Sequence, residues 1–152
     1  MPDNSHDRLY EILKADIAKE RLIEGAVDIL DYLKDKGYKL GMISDLPNPD
    51  YDFAYKLGFA DRFDFRHLSF DPEWVNSGVY ERVLKPDLAV FKRTISKLGN
   101  NTNKVIMIGN SLHSDIEPAR KLGIRSILVD YKKKHKEDKD RIESLEELKQ
   151  VL

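Results

Sequence analysis

KVIMIGNSLHSD, residues 104–115, is the stretch on which the fold turns. Four apolar residues, 105–108, stop at Gly109 and give way to a turn rich in amide and hydroxyl groups, after which Asp115 opens a predicted helix. A parallel strand buried on both faces reads as an unbroken apolar run, and α/β sheets place their ligands beyond the carboxyl ends of such strands. LGMISD, residues 40–45, repeats the pattern, and Lys85-Pro86-Asp87 lies between the two. Three segments therefore bring polar side chains to the same kind of sheet edge.

Outward from there, helix and strand alternate. Asp3, Asn4 and Ser5 are candidate caps for a helix over 6–19, with Leu9, Ile12, Leu13 and Ile17 at helical spacing. A second helix is predicted over 24–36, with Ala26, Val27, Ile29, Leu30 and Leu33 as its apolar stripe and Gly37 as its stop. Residues 39–44 read as a strand, 51–57 as a short helix, the aromatic-rich 63–70 as a strand, and 71–83 as a loop. Asp87 caps a helix that runs to Leu98. Residues 105–108 form the next strand, and 115–122 a helix with Pro118 in its tolerant first turn. A strand over 126–129, a charged loop over 131–140 and a helix over 145–151 capped by Ser144 complete the chain. Strands alternating with helices imply an α/β fold with a doubly wound parallel sheet.

The 152 residues suit one domain with a self-sufficient core. Basic residues number 26 and acidic 27, a balance that offers no electrostatic case for nucleic acid or a membrane surface. The run of Lys132, Lys133, Lys134, His135 and Lys136 is followed by mixed charge and reads as a solvated loop. With no cysteine, disulfides and thiolate metal sites are excluded and a cytoplasmic address is expected. No apolar run approaches the 18 residues or so that a membrane span requires.

Ser44 ends the first of these strands, where a hydroxyl can donate to an anionic oxygen beside backbone N–H groups, or simply form a turn. Lys85 precedes a proline that keeps the chain extended. Its ammonium suits the role of a point charge beside a phosphate. His113 sits in the 109–116 turn, where a surface position is the plainer reading, and His6, His67 and His135 show no metal-ligand spacing.

Together these segments resemble motifs II, III and IV of the haloacid dehalogenase-like (HAD) hydrolase superfamily. LGMISD stands for the second, Lys85-Pro86-Asp87 for the third and GNSLHSDI, residues 109–116, for the fourth, whose common form is Gly-Asp-Ser-x-x-Asn-Asp-Ile. The likeness runs from about Leu22 to the C-terminus, so residues 22–152 are expected to form a HAD-like Rossmannoid core of three layers. Residues 1–21 are expected to be a helix remaining from a cap. By resemblance, Ser44, Asp45 and Lys85 bind phosphate, Lys85 has the catalytic charge-neutralising role, and Asn110 and Asp115 hold Mg2+. Asp45 has a second reading, as the cap of the turn over 46–49. Asn110 stands where the family usually has an aspartate, and a neutral oxygen implies weak Mg2+ binding.

One family feature is absent. The nucleophile motif Asp-x-Asp-x-Thr occurs nowhere in these residues. The resemblance implies hydrolysis of a phosphate ester through an aspartyl-phosphate, on a phosphorylated small molecule or with phosphate ion as ligand. This chain would hold the positioning groups without the nucleophile. It is then a fragment or subunit of a hydrolase, or a non-catalytic binding or interaction module. A response-regulator receiver is a weaker fold alternative, since the paired acids after its first strand are also missing. The strand that carries the nucleophile would sit between 40–43 and 105–108. Its loss predicts that these two strands pair directly or that another chain, a complementary N-terminal fragment or a second copy, fills the gap. Filling is favoured, because unpaired buried backbone groups are costly.

Overall fold

The computed structural model describes residues 22–45, 60–68 and 84–152. The predicted helices over 6–19 and 51–57 and the loop over 71–83 lie outside them. Helix α1 spans Ala26–Asp35 and buries Ala26, Ile29 and Leu33, which lie on one face at helical spacing. It ends as the sequence predicts. Gly37 takes φ 84°, the Gly37 N–H donates to the Lys34 carbonyl, and the Tyr38 N–H to that of Leu33. Those paired bonds satisfy carbonyls that the helix end leaves open.

Strand β1, Gly41–Ser44, follows, then a 3-10 turn at Ala60–Arg62 and strand β2, Phe65–Leu68, within the predicted 63–70. The Asp64 carboxylate accepts from the Leu40 N–H and from Lys34 Nζ, both at 2.7 Å, and so fixes the entry to β1. Helix α2, Leu88–Lys97, is capped by Asp87, whose carboxylate accepts from the Ala89 N–H at 2.8 Å. Strand β3, Ile106–Gly109, leads through a turn into helix α3, Glu117–Lys121. Strand β4, Arg125–Val129, and a two-residue strand β5, Arg141–Ile142, come next. Helix α4, Leu148–Val151, is the last element, and the Glu147 carboxylate accepts from the Ser144 N–H ahead of it. Strand β5 falls just after the predicted loop over 131–140. Two residues are too short to show a period-2 pattern, so the sequence held no signal for it.

All pairings are parallel, and the layers follow from period-2 alternation. On one face Leu40, Ile106, Ile108, Ile127, Val129 and Ile142 pack with Ile29 and Leu33 of α1 and Leu148 of α4. On the other, Ile43, Val105 and Met107 pack against Val90, Phe91 and Ile95 of α2, with Ala119 and Ile124. This is the expected α/β architecture of three layers.

Among the described residues, however, the strands form two pieces: β1 pairs with β2, β3 with β4, and β4 with β5. Among the described residues no strand joins β1 to β3. The direct closure that the sequence left open does not occur. A cavity of about 880 Å³ lies between the pieces, lined by residues 40–43 on one side and 105–110 on the other. Helix α2 is seated on β1, where a Cβ on Gly41 would lie 2.9 Å from Leu98 Cδ1 and 3.0 Å from Thr94 Cγ2. The same helix packs against Ala119 and Ile124 on the β3–β4 side.

Candidate functional site

The carboxyl ends of β1 and β3 are tied together by one residue. Lys85 Nζ donates to Asp115 Oδ1 at 2.7 Å, beyond β3. The Lys85 backbone N–H donates to Asp45 Oδ1 at 3.3 Å, beyond β1. A turn closed by the Asp87 N–H on the Leu84 carbonyl holds the lysine between them. The Lys85 side chain is 17% exposed and that of Asp115 only 5%. A buried charge is tolerated when paired and hydrogen-bonded, and this pair satisfies both conditions.

Asp115 does not open its helix as the sequence suggests. Ser111 is the cap: its side chain accepts from the Ser114 N–H at 3.1 Å, and a π-helical turn, Leu112–Ile116, begins directly after it. The wider turn carries Asp115 back over the strand end, where its Oδ2 accepts from the Ser111 N–H at 3.1 Å. π turns inside helices cluster at functional sites. Gly109 completes the seat. A Cβ there would lie 2.5 Å from both Cβ and Oδ2 of Asp115, so only glycine fits beneath this carboxylate. Ser111 and Gly109 are thus site residues that motif reading passed over. A hydroxyl three residues ahead of a backbone donor is the capping signal that could have identified Ser111.

Asn110, at the tip of β3, is exposed. Ser44, the last residue of β1, is half-buried at the same edge. The Asp45 carboxylate accepts from the Lys85 backbone N–H, and a carboxylate itself repels phosphate. His113 is 77% exposed and lies 3.6 Å from Glu117, away from the Lys85–Asp115 pair. His67 is buried on β2.

The charge of this cluster bears on what it can bind. One lysine against the carboxylates of Asp45 and Asp115 leaves a net single negative charge, which alone disfavours a phosphate. Among the described residues no three His, Cys, Asp or Glu side chains converge as a metal cage. Mg2+, however, binds through one or two protein oxygens plus water and phosphate. Asp115 offers one such oxygen, engaged by Lys85, and Asn110 is exposed at the end of β3.

Two apolar half-sheets with a cation–carboxylate pair at their carboxyl edge define an α/β fold whose charged groups gather at that edge. Comparison with known proteins specifies the class. The family model for haloacid dehalogenase-like hydrolases matches residues 3–123, and the chain belongs to that family. Curated relatives include the glyceraldehyde 3-phosphate phosphatase of Pyrococcus abyssi, 29% identical over 114 residues, which are 74% of this chain and 44% of that protein. The enzyme of the same name from Methanocaldococcus jannaschii is 30% identical over 127 residues, 79% of this chain and 51% of that protein. The chain therefore spans about half the length of the curated relatives it matches. Among solved structures, a HAD phosphatase from Thermococcus onnurineus superposes with a TM-score of 0.74 at 24% identity, covering 93% of this chain and 63% of the other. A HAD-hydrolase from Bacillus subtilis bound to magnesium gives 0.70 at 22% identity, covering 86% and 55%. These superpositions carry the fold. No helix among the described residues is long and apolar enough to cross a membrane.

Proposed function

We propose that this chain is the phosphate-positioning part of a HAD-like phosphatase core, and that the nucleophilic carboxylate comes from polypeptide outside these 152 residues. The Lys85–Asp115 pair, buried where the two half-sheets meet, carries the reading. Lys85 would offset charge on the phosphoryl oxygens, Ser44 would donate to one of them, and Asp45 would hold the lysine in place. In the reaction a carboxylate oxygen attacks phosphorus, the ester P–O bond breaks, and the alcohol leaves with a proton. Water then attacks the acyl phosphate, releasing inorganic phosphate and restoring the carboxylate. Mg2+ held by Asp115 and Asn110 would supply positive charge to a site that otherwise carries a net negative one. The name shared by the curated relatives supports a small phosphorylated aldehyde as substrate. A cytoplasmic setting, and a helix over residues 1–21 left from a cap, belong to the same proposal. The absence of Asp-x-Asp-x-Thr from the sequence favours one second reading, a phosphate-binding or interaction module without turnover.

Inorganic phosphate binding by calorimetry, with and without Mg2+, tests the positioning role. The chain should bind phosphate, with at least tenfold loss in Lys85→Ala, and Asn110→Asp should tighten Mg2+. Retained phosphate affinity in Lys85→Ala would overturn it. An aryl-phosphate assay of the chain alone, with Asp115→Ala as control, should show no turnover; hydrolysis that disappears in the control would place the nucleophile inside these residues.

A further inference from the structure

The loop over 131–140 is charged, as its sequence indicates, but carboxylates pin both of its limbs. Asp130, at the exit of β4, has a side chain only 4% exposed. Its Oδ1 accepts from the Lys134 N–H at 3.0 Å, and its Oδ2 from the His135 N–H at 2.8 Å. The Lys133 N–H closes a turn on the Asp130 carbonyl, with Lys133 at φ 53°. On the returning limb, Arg120 of α3 donates two hydrogen bonds to Asp138, at 2.8 and 2.9 Å. The Leu128 N–H donates to the Asp140 carbonyl and brings that limb back against β4. Charge-assisted bonds of this kind, one set of them buried, fix the course of the loop.

The loop stands at the edge that carries the site. Strands β3 and β4 are parallel, with Gly109 opposite Leu128, so the loop leaves β4 at the edge where Asn110 and Asp115 follow β3. Tyr131, its first residue, and Asn110 line one cavity. Its charges are sorted. Lys132, Lys134 and Lys136 are exposed and hold no ion pair among the described residues. Lys133 is 2.7 Å from Glu143, and His135 is 3.8 Å from Glu137. The acids Glu137, Asp138 and Asp140 all belong to the returning limb. That limb leads into β5, which lies on the side of β4 away from β3.

We infer that Lys132, Lys134 and Lys136 form an electrostatic rim that draws a phosphate monoester dianion to the Lys85–Asp115 edge. The edge gains from such a rim, because Asp45, Asp115 and Lys85 together carry a single negative charge that repels phosphate. With strands about 4.8 Å apart and a rise of about 3.3 Å per residue, these lysines lie on the order of 12 Å from the end of β3. At that range three ammoniums favour a dianion about tenfold at about 0.01 M salt, where the Debye length is about 30 Å, and about twofold at about 0.15 M, where it is about 8 Å. The pins matter because a loop free to swing outward would carry these charges beyond the screening length. The rim itself stands on the loop; that its ligand is a substrate phosphate rests on the phosphatase reading.

The test is calorimetric titration of the whole chain with inorganic phosphate at about 0.01 M and about 0.15 M NaCl. Four variants accompany it, each checked for unchanged circular dichroism. One is the triple variant Lys132→Gln/Lys134→Gln/Lys136→Gln, and the second replaces the same three residues with Arg. The third, Lys39→Gln/Lys97→Gln/Lys104→Gln, removes equal charge at the opposite, amino edge of the strands. The fourth is Lys85→Ala. The loop Gln variant should bind phosphate about tenfold more weakly at low salt and about twofold more weakly at high salt. The Arg variant should match the native chain, and the amino-edge variant should lose no more than about threefold. Equal losses in the two Gln variants, a loop effect that salt leaves unchanged, or no rescue by Arg would overturn the inference. So would heparin binding that depends on the loop while phosphate affinity does not, since the rim would then serve a polyanion. Loop dependence that survives alongside full phosphate affinity in Lys85→Ala supports the rim and counts against the phosphatase reading alone. Lys85 dependence without loop dependence does the reverse, and no phosphate binding at millimolar concentration would overturn both.

Discussion

Residues 105–108 and 127–129 are apolar runs in adjacent strands, paired in register with Ile108 opposite Ile127. By sequence they are equivalent. In the structure Ile127, Leu128 and Val129 are at most 4% exposed, while β3 is half-buried along its whole length. Strand β4 lies between β3 and β5, and β3 has a partner on one side and a cavity on the other. Apolar character thus qualifies a segment for burial, but pairing on both edges achieves it. Strand β4 is the finished centre of its half-sheet, and the β1–β3 seam is the less buried margin among the described residues.

The largest expected effect tests that difference directly. Leu128→Ala removes a side chain with no exposed surface and should cost about 2–5 kcal/mol by urea denaturation. Ile106→Ala, facing the cavity wall from β3, should cost about half as much, because its surroundings are already open. Equal losses would break the comparison.

Gly109→Ala comes next. Its new Cβ would collide with Asp115, and overpacking of this kind costs about 1–3 kcal/mol. The same substitution should pull Asp115 away from Lys85, so Mg2+ or phosphate affinity should fall with stability. Full retention of both would show that the carboxylate has room to move.

Acid should then separate the two sides of the molecule. Burial pushes the Asp130 carboxyl up, but N–H donors from His135 and Lys134 and the Arg141 charge outweigh it, leaving the pKa lowered. Hydrogen bonds from Arg120 lower that of Asp138, and Lys34 with the Leu40 N–H lowers that of Asp64. A depressed carboxylate adds stability above its unfolded pKa, about 3.9, and that contribution is lost as pH falls through the lower folded value. Denaturation midpoints should stay flat from about pH 7 to 5 and fall below about pH 4. Asp130→Asn should flatten this profile more than Asp64→Asn, because Asp64 is 37% exposed and screened by solvent. A larger effect of Asp64→Asn would reverse the assignment of the stronger network to the β4 side. The smallest effect belongs to His113→Ala, within about 0.5 kcal/mol and without change in phosphate binding, as for other exposed residues.

The sequence by itself determined the α/β class, the parallel strands, the Asp87 cap, the Gly37 stop and the segments that meet at one edge, because each rests on local spacing or local hydrogen bonding. It also determined that no Asp-x-Asp-x-Thr is present. Only the tertiary structure decided that Asp115 lies inside a π turn capped by Ser111, because one residue of helical slack is invisible to periodicity. The hydrogen bond from the Lys85 N–H to Asp45 needed the contact itself, across 40 positions of chain. The separation of β1 from β3 was likewise beyond the sequence. Two apolar runs announce that they seek partners, but which edges pair is decided where the strands meet in space, β1 with β2 and β3 with β4.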